Sequence, residues 1–157
     1  MTTADGYILK MFRIRPKEVN DEKKHPPIIL QHGLISSAET WVVNGELSWP
    51  VKLLEAGYDV WLGNSRGNIY SRGHVSISTE DDAYFNFSFY EMGKFDLPAM
   101  LDYVRGRTGF EKVAYMGHSQ GTTQMFSAIA ENQGSIRDKI SMFIALAPVV
   151  QLRNTKD

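Results

Sequence analysis

The residues best suited to do chemistry sit in one stretch, Gly117-His-Ser-Gln-Gly121. The apolar run Val113 to Met116 precedes it, and a helix-forming segment, Thr122 to Glu131, follows. A serine flanked by glycines at that spacing fits a strand that turns directly into a helix. Such a turn has no spare residue, so it forces the serine into a strained backbone conformation. A Cβ at Gly117 or Gly121 would collide with the adjoining strand or helix. Ser119 is then presented at the carboxyl end of a sheet, in position to attack a carbonyl carbon. The helix beginning behind it offers free N–H groups and a positive dipole end to the oxyanion that such an attack creates. The five-residue pattern also arises by chance. The strand before it and the helix after it give this one its specificity.

Acyl transfer needs two oxyanion donors, and the first is the N–H of the residue after the serine, Gln120. The second is expected from the loop that follows the strand at Pro27 to Gly33, where the sequence reads His32-Gly33-Leu34. Gly33 would let the backbone turn so that the Leu34 N–H meets the same oxygen. Alone, His-Gly is an ordinary strand end. Beside the serine turn it reads as an oxyanion loop.

The surrounding elements must hold these parts together. Tyr7 to Arg15 mostly alternates and is rich in aromatic and β-branched residues, which predicts a strand. Asp5-Gly6 before it is a hairpin dipeptide with only four residues upstream for a partner strand, which points to a start inside a larger protein. Pro16 to His25 is charged and reads as a surface loop. Pro27 to Gly33 is the continuous apolar run of a strand buried on both faces. Ser48, with Pro50 close behind, caps a helix that Gly57 ends, with Val51, Leu53 and Leu54 facing inward. Tyr58 to Leu62 is a further strand, followed by the polar loop Gly63 to Asn68 and an irregular stretch to Phe87. Ser88 to Glu91 spells a capping box. Pro98 should bend or restart the helix begun there, with Asp96 as second cap, and Gly109 should close it. Ser141 to Ala147 is the last apolar strand, ended by Pro148. Strands alternating with helices argue for an α/β fold with a mostly parallel, doubly wound sheet.

Composition narrows the function. The chain has 157 residues, 43% hydrophobic and 22% charged, within the range of a folded globular domain. A formal net charge of −1 gives no electrostatic case for nucleic acid. There is no cysteine, so disulfides and thiolate metal sites are excluded. No apolar run is long enough to cross a bilayer. The first residues, Met1-Thr-Thr-Ala-Asp-Gly6, lack the basic and apolar regions of a signal peptide.

Five blocks together carry a resemblance: Leu30-Gln-His-Gly-Leu34, Asp59-Val-Trp-Leu-Gly-Asn-Ser-Arg-Gly-Asn68, Glu91-Met92, Asp96-Leu-Pro-Ala99 and Gly117-His-Ser-Gln-Gly-Thr-Thr123. In order and spacing, from about Asp5 to Pro148, the chain resembles the acid lipases of the gastric and lysosomal type. The resemblance implies an α/β-hydrolase core and an esterase of neutral lipids, triacylglycerols or cholesteryl esters, working at a lipid–water interface. It also implies a Ser–Asp–His triad without cofactor or metal, a separate cap, and a secreted or lysosomal location. Ser119 matches the family's nucleophile, and Leu34 and Gln120 its oxyanion positions. The departure is large, because in this fold the acid and the histidine follow the serine. After Ser119 the chain has no histidine, and its only aspartates are Asp138 and Asp157. Residues 1–148 then read as the first part of a hydrolase domain, cut before the cap and last strands. Residues 149–157 would open the connection to that cap.

None of the four histidines offers itself as a substitute base. His118 adjoins the serine on a sharp turn and should point away, packing and hydrogen-bonding within the elbow. His32 belongs to the oxyanion loop and should line or brace the pocket, His25 lies among surface charges, and His74 falls in an irregular loop without a sequence-defined role. Asp138 reads as a solvated charge. Asn64, Arg66 and Asn68 are expected to hold loops rather than substrate. The sequon Asn86-Phe-Ser88 abuts a helix cap and is read as unmodified, and the aromatic run Tyr84 to Tyr90 as loop packing. Two functions stay open: the leading part of a neutral-lipid ester hydrolase, or a hydrolase-like remnant that binds lipid or a protein partner without turnover.

Overall fold

The computed structural model describes residues 1–15, 24–132 and 135–151. The expected charged loop at 16–25 and the connection at 149–157 therefore lie mostly outside the described residues. The main sheet has five strands: β2 (Phe12–Ile14), β3 (Pro27–Gln31), β4 (Asp59–Gly63), β6 (Val113–His118) and β7 (Ile140–Leu146). Their order is β2-β4-β3-β6-β7. Pairing is parallel from β4 through β7, and only β2 runs antiparallel, against β4. This is the mostly parallel α/β sheet that the alternating elements predict.

Every residue of β3 and β4 is buried, as expected of strands covered on both sides. Successive side chains go to opposite faces. Ile29, Trp61, Val113 and Tyr115 pack on Leu97, Met100, Leu101, Val104, Met125 and Ala128 from the helices α3 (Leu97–Thr108) and α4 (Gln120–Glu131). Ile28, Leu30, Val60, Leu62, Ala114 and Met116 face the other way, against Ala38, Trp41 and Leu53. Leu53 belongs to α1 (Trp49–Glu55), whose Val51 and Leu54 are only half-buried. Ser48 precedes α1 as expected, but its hydroxyl makes no capping bond.

The expected strand from Tyr7 to Arg15 is divided. Tyr7–Ile8 (β1) pairs with Gly73–His74 (β5) in a separate two-stranded sheet, and the main sheet is joined only at Phe12. The hairpin before β1 needs little chain. Gly6 takes a left-handed φ of 100°, Tyr7 O accepts from Thr3 N–H, and Thr2 bridges Ile8.

A second difference concerns Pro98. The capping box forms in full: the Ser88 side chain accepts from Tyr90 N–H, and Glu91 accepts from Ser88 N–H. The helix Phe89–Glu91 (α2) then runs without interruption through a π-helical turn, Met92–Asp96, into α3. Proline lacks an N–H and crowds the carbonyl four residues back, so the widened turn lets the helix continue across Pro98. Asp96 is consequently helical and caps nothing. It is fully buried and takes Arg66, accepting its backbone N–H at 3.0 Å and its Nε at 2.8 Å. Burial pushes the Asp96 carboxyl up to about 6 despite that guanidinium. Arg66 also reaches Asp5 at 2.7 Å and lies 3.9 Å from the centre of the Tyr7 ring.

Removing one partner of such a pair leaves an uncompensated charge in the core. Arg66→Ala should lower unfolding free energy by about 3–5 kcal/mol in urea titrations, whereas Ser88→Ala, which removes only the cap, should cost about 1 kcal/mol. Equal losses in the two variants would show that the buried pair does not hold this loop.

Candidate active site

β6 runs into α4 through the single residue Ser119, at φ 52° and ψ −119°. That conformation is sparsely populated for a residue with a Cβ and stores on the order of 1–3 kcal/mol. Bonds to the backbone hold it there. Ser119 N–H donates to Leu146 O at 3.0 Å, and Ser119 O accepts from the Thr122 hydroxyl at 2.6 Å and the Thr122 N–H at 2.9 Å.

The two glycines work through space rather than through unusual dihedrals. A Cβ on Gly117 would lie 2.7 Å from the Gly121 carbonyl, and one on Gly121 would lie 2.6 Å from Gln31 O. Neither glycine has a positive φ. Strand β6, helix α4 and the end of β3 therefore touch backbone to backbone behind the serine. Gly33 follows the same logic. The sequence suggests that it serves a turn, but its φ is not positive, and a Cβ there would lie 3.0 Å from Ser119 Cβ. Its smallness lets the loop after β3 come up against the nucleophile.

That loop carries Leu34, 63% exposed, and the strained Ile35, φ 51° and 97% exposed. Among the described residues, neither the Leu34 nor the Gln120 N–H donates to a protein group outside helical bonding. Both residues line an open cleft of about 690 Å³, with Val43, Ile69, Phe87 and Met92 on its walls. Ser119 adjoins this cleft through Gly33 and Gln120, which line it, and apolar walls beside free N–H groups can take up an ester carbonyl with an aliphatic chain.

No imidazole is placed to deprotonate Ser119. His25 Nδ1 meets Gly57 O at 2.7 Å. His74 accepts from Ser76 and Ile77 N–H on Nδ1 and meets Asp5 O with Nε2, so the histidine left unassigned by the sequence has a structural role. His32 is buried, bound to Gly33 O and Ser65 N–H, and burial holds it below the ordinary imidazole range. His118 is exposed and makes no hydrogen bond among the described residues, unlike the bonded role expected of it. Asp138 lies exposed on the short helix Ile136–Lys139 (α5). Asn64 and Asn68 bond to loop backbone, as expected: Asn64 Oδ1 accepts from Ala38 N–H, and Asn68 Oδ1 from Tyr70 and Ser71 N–H.

The sequence reading does not anticipate a clamp behind the elbow. Val149 N–H donates to Thr122 Oγ1, and Thr123 Oγ1 donates to Val149 O, each at 3.0 Å. Ala147, at φ 48°, turns the chain into that clamp. The pair Thr122-Thr123 was visible as part of a motif, but its partner lies 26 residues further on.

Comparison with known proteins agrees with this fold. A family model described as the alpha/beta hydrolase fold matches residues 26–156, and one described as a partial alpha/beta-hydrolase lipase region matches residues 1–45. The chain is 47% identical over 159 residues to the gastric triacylglycerol lipase of Rattus norvegicus, covering 99% of this chain and 40% of that protein. It is 45% identical over 153 residues to the lysosomal acid lipase/cholesteryl ester hydrolase of Macaca fascicularis, covering 96% and 38%. Lipase member K of Homo sapiens is 45% identical, at 99% and 40%. The chain thus spans about two fifths of the length of these relatives. Among solved structures, the epoxide hydrolase VrEH1 from Vigna radiata superposes with a TM-score of 0.64 at 15% identity, over 97% of this chain and 41% of that one. Epoxide hydrolase A from Mycobacterium thermoresistibile gives 0.57 at 20%, over 92% and 39%. At these identities the likeness is one of fold alone.

The backbone contact at the elbow sets a sharp expectation. Gly121→Ala should cost at least about 1–3 kcal/mol in chemical denaturation, because backbone atoms cannot move aside for a methyl group. Gly106→Ala, in α3 with nothing within 4 Å of the new Cβ, should be neutral or stabilising by up to about 1 kcal/mol. A Gly121→Ala protein as stable as the wild type would mean that no tight elbow exists.

Proposed function

The chain belongs to the α/β hydrolase fold family, and within it we propose that this chain forms the nucleophile-bearing part of a serine ester hydrolase of neutral lipids. The observation that carries the proposal is Ser119 at its strained turn, beside the Leu34 and Gln120 N–H groups, which have no acceptor outside helical bonding among the described residues. Ser119 Oγ attacks the ester carbonyl carbon while a base takes its proton. The tetrahedral oxyanion is held by the N–H groups of Leu34 and Gln120. Collapse breaks the ester C–O bond, the alcohol leaves with the proton, and water then hydrolyses the acyl-enzyme by the same route. Triad chemistry of this kind needs neither metal nor cofactor.

The choice of triacylglycerols or cholesteryl esters rests on the activities for which the gastric and lysosomal relatives are named. The apolar cleft walls are compatible with long acyl chains. The gastric and lysosomal names of these relatives support a secreted or lysosomal setting, and esters of that class would be met at a lipid–water interface. No helix of the described residues is long and apolar enough to cross a membrane. Residues 1–148 would be the leading part of the hydrolase domain and 149–157 the start of a connection to a cap. The Asp and His of the triad would come from sequence beyond residue 157.

One observation favours a second reading. No histidine follows Ser119, and the imidazoles His25, His32 and His74 are engaged elsewhere. A product of these 157 residues alone would be a remnant that binds lipid or a protein partner without turnover.

Two measurements separate the readings. In a full-length protein containing this chain, a fluorophosphonate should label Ser119, and Ser119→Ala should abolish both label and ester hydrolysis. Labelling at another serine would refute the assignment. Residues 1–157 alone should show no measurable hydrolysis of tributyrin, because losing the base costs about 10⁶ in kcat. Ser119-dependent turnover by the short chain would instead demand a base among its own histidines.

A further inference from the structure

We propose that His32 is a positioning residue for the oxyanion hole, its ring fixing the Gly33–Leu34 peptide so that the Leu34 N–H faces the reacting carbonyl. The inference rests on the ester-hydrolase reading above and assigns a task to a buried histidine that the reaction itself does not use. His32 is 3% exposed. Its Nε2 accepts the Ser65 N–H at 3.1 Å, with Asn68 Nδ2 a second donor at 3.2 Å. Both contacts require the lone pair on Nε2, so the ring proton sits on Nδ1. That proton is donated to Gly33 O at 2.8 Å. The neutral ring in this tautomer satisfies all three contacts, and the protonated ring does not.

The carbonyl of Gly33 and the N–H of Leu34 are the two ends of one planar trans peptide, so they point in opposite directions. Fixing the first therefore fixes the second. This peptide lies against the nucleophile, since a Cβ on Gly33 would be 3.0 Å from Ser119 Cβ. Beyond it the loop has little packing of its own, Leu34 and Ile35 being largely exposed. The far side of the strut is firm. Ser65 Oγ accepts from Gln31 Nε2 at 2.8 Å and from Gln124 Nε2 at 3.1 Å, two buried amides on β3 and α4. His32 thus ties the oxyanion loop to the two elements that set the position of Ser119.

Two near-isosteric substitutions divide the ring's functions. His32→Asn keeps a donor near the Nδ1 position and loses the Nε2 acceptor. His32→Gln keeps an acceptor near Nε2 and loses the donor to Gly33. In the full-length protein, His32→Asn, which keeps the bond to Gly33 O but releases Ser65, should lower kcat less than His32→Gln does. His32→Gln should lose up to about 10²–10³ in kcat with KM little changed, the cost of removing one oxyanion donor outright. His32→Gln should also lose a comparable factor in affinity for an alkyl boronic acid, whose tetrahedral serine adduct places an oxygen in the hole. Thermal midpoints of both variants report folding independently. Equal losses in the two variants, a loss confined to KM, or a fall in kcat that merely follows the melting temperature would overturn the positioning role and leave the ester-hydrolase reading intact. A wild-type protein that neither hydrolyses esters nor captures the boronic acid would overturn that reading, and this inference with it.

Discussion

Three stretches of backbone meet behind Ser119 at distances that leave no room for a side chain. Gly117 on β6, Gly121 on α4 and the Gln31–His32 carbonyls at the end of β3 are in direct contact. Because β3 and β6 are hydrogen-bonded neighbours in the sheet, α4 must leave β6 with no intervening loop and pass close over β3. Ser119 takes a positive φ as a result. The strain is local, and the burial of Met125 and Ala128 from the same helix offsets it. A similar close approach recurs one turn outward, where a Cβ on Gly93 would lie 2.6 Å from Gln124 O and the α2–π–α3 helix crosses α4.

Polar contacts then orient what packing has brought together. The loop after β4 is the hub. Arg66 anchors it to Asp96 and Asp5, Ser65 meets His32 and the two buried glutamines, and Asn64 holds Ala38 N–H and Lys10 O. Asn64, Ser65 and Arg66 are buried, and a buried polar group left without its partner costs more than the bond contributes when made. Such a network resists distortion. The loop therefore acts as a rigid base for the oxyanion loop, although none of its side chains needs to touch a substrate.

How legible this was depends on the range of each interaction. The Ser119 turn, the doubly buried strand β3, the strand β4, the capping box at Ser88 and the left-handed Gly109 at φ 72° were all readable, because each depends on residues within a few positions. The features that escaped depend on distant partners. Asp96 has the spacing of a cap but serves Arg66, 30 residues earlier. Alternation from Tyr7 onward signals extended backbone without saying which sheet receives it, so the transfer from β1 to β2 was invisible. His74 could be placed only once Asp5, 69 residues away, was seen to accept from it. Gly33 was singled out for the wrong property, since a sequence marks a glycine without telling whether it supplies a dihedral or a space.

The same division would allow this stretch to hold the proposed nucleophile and oxyanion donors without the base. The nucleophile and its two oxyanion donors must agree to within a fraction of an ångström, and donors must aim at where charge develops. Backbone groups on adjoining strands and one helix meet that demand, and they are necessarily encoded close together in the sheet. A general base has looser needs. It must reach one hydroxyl through one hydrogen bond and be oriented by one further group, so it can arrive from a distant segment of chain. The clamp of Val149 by Thr122 and Thr123 bears on that arrival. It fixes the chain leaving β7 one helical turn from Ser119, through the hydroxyl that also holds the Ser119 carbonyl. Any displacement of the segment beyond β7 is therefore felt at the backbone of Ser119, which couples the placement of that segment to the geometry of the serine turn.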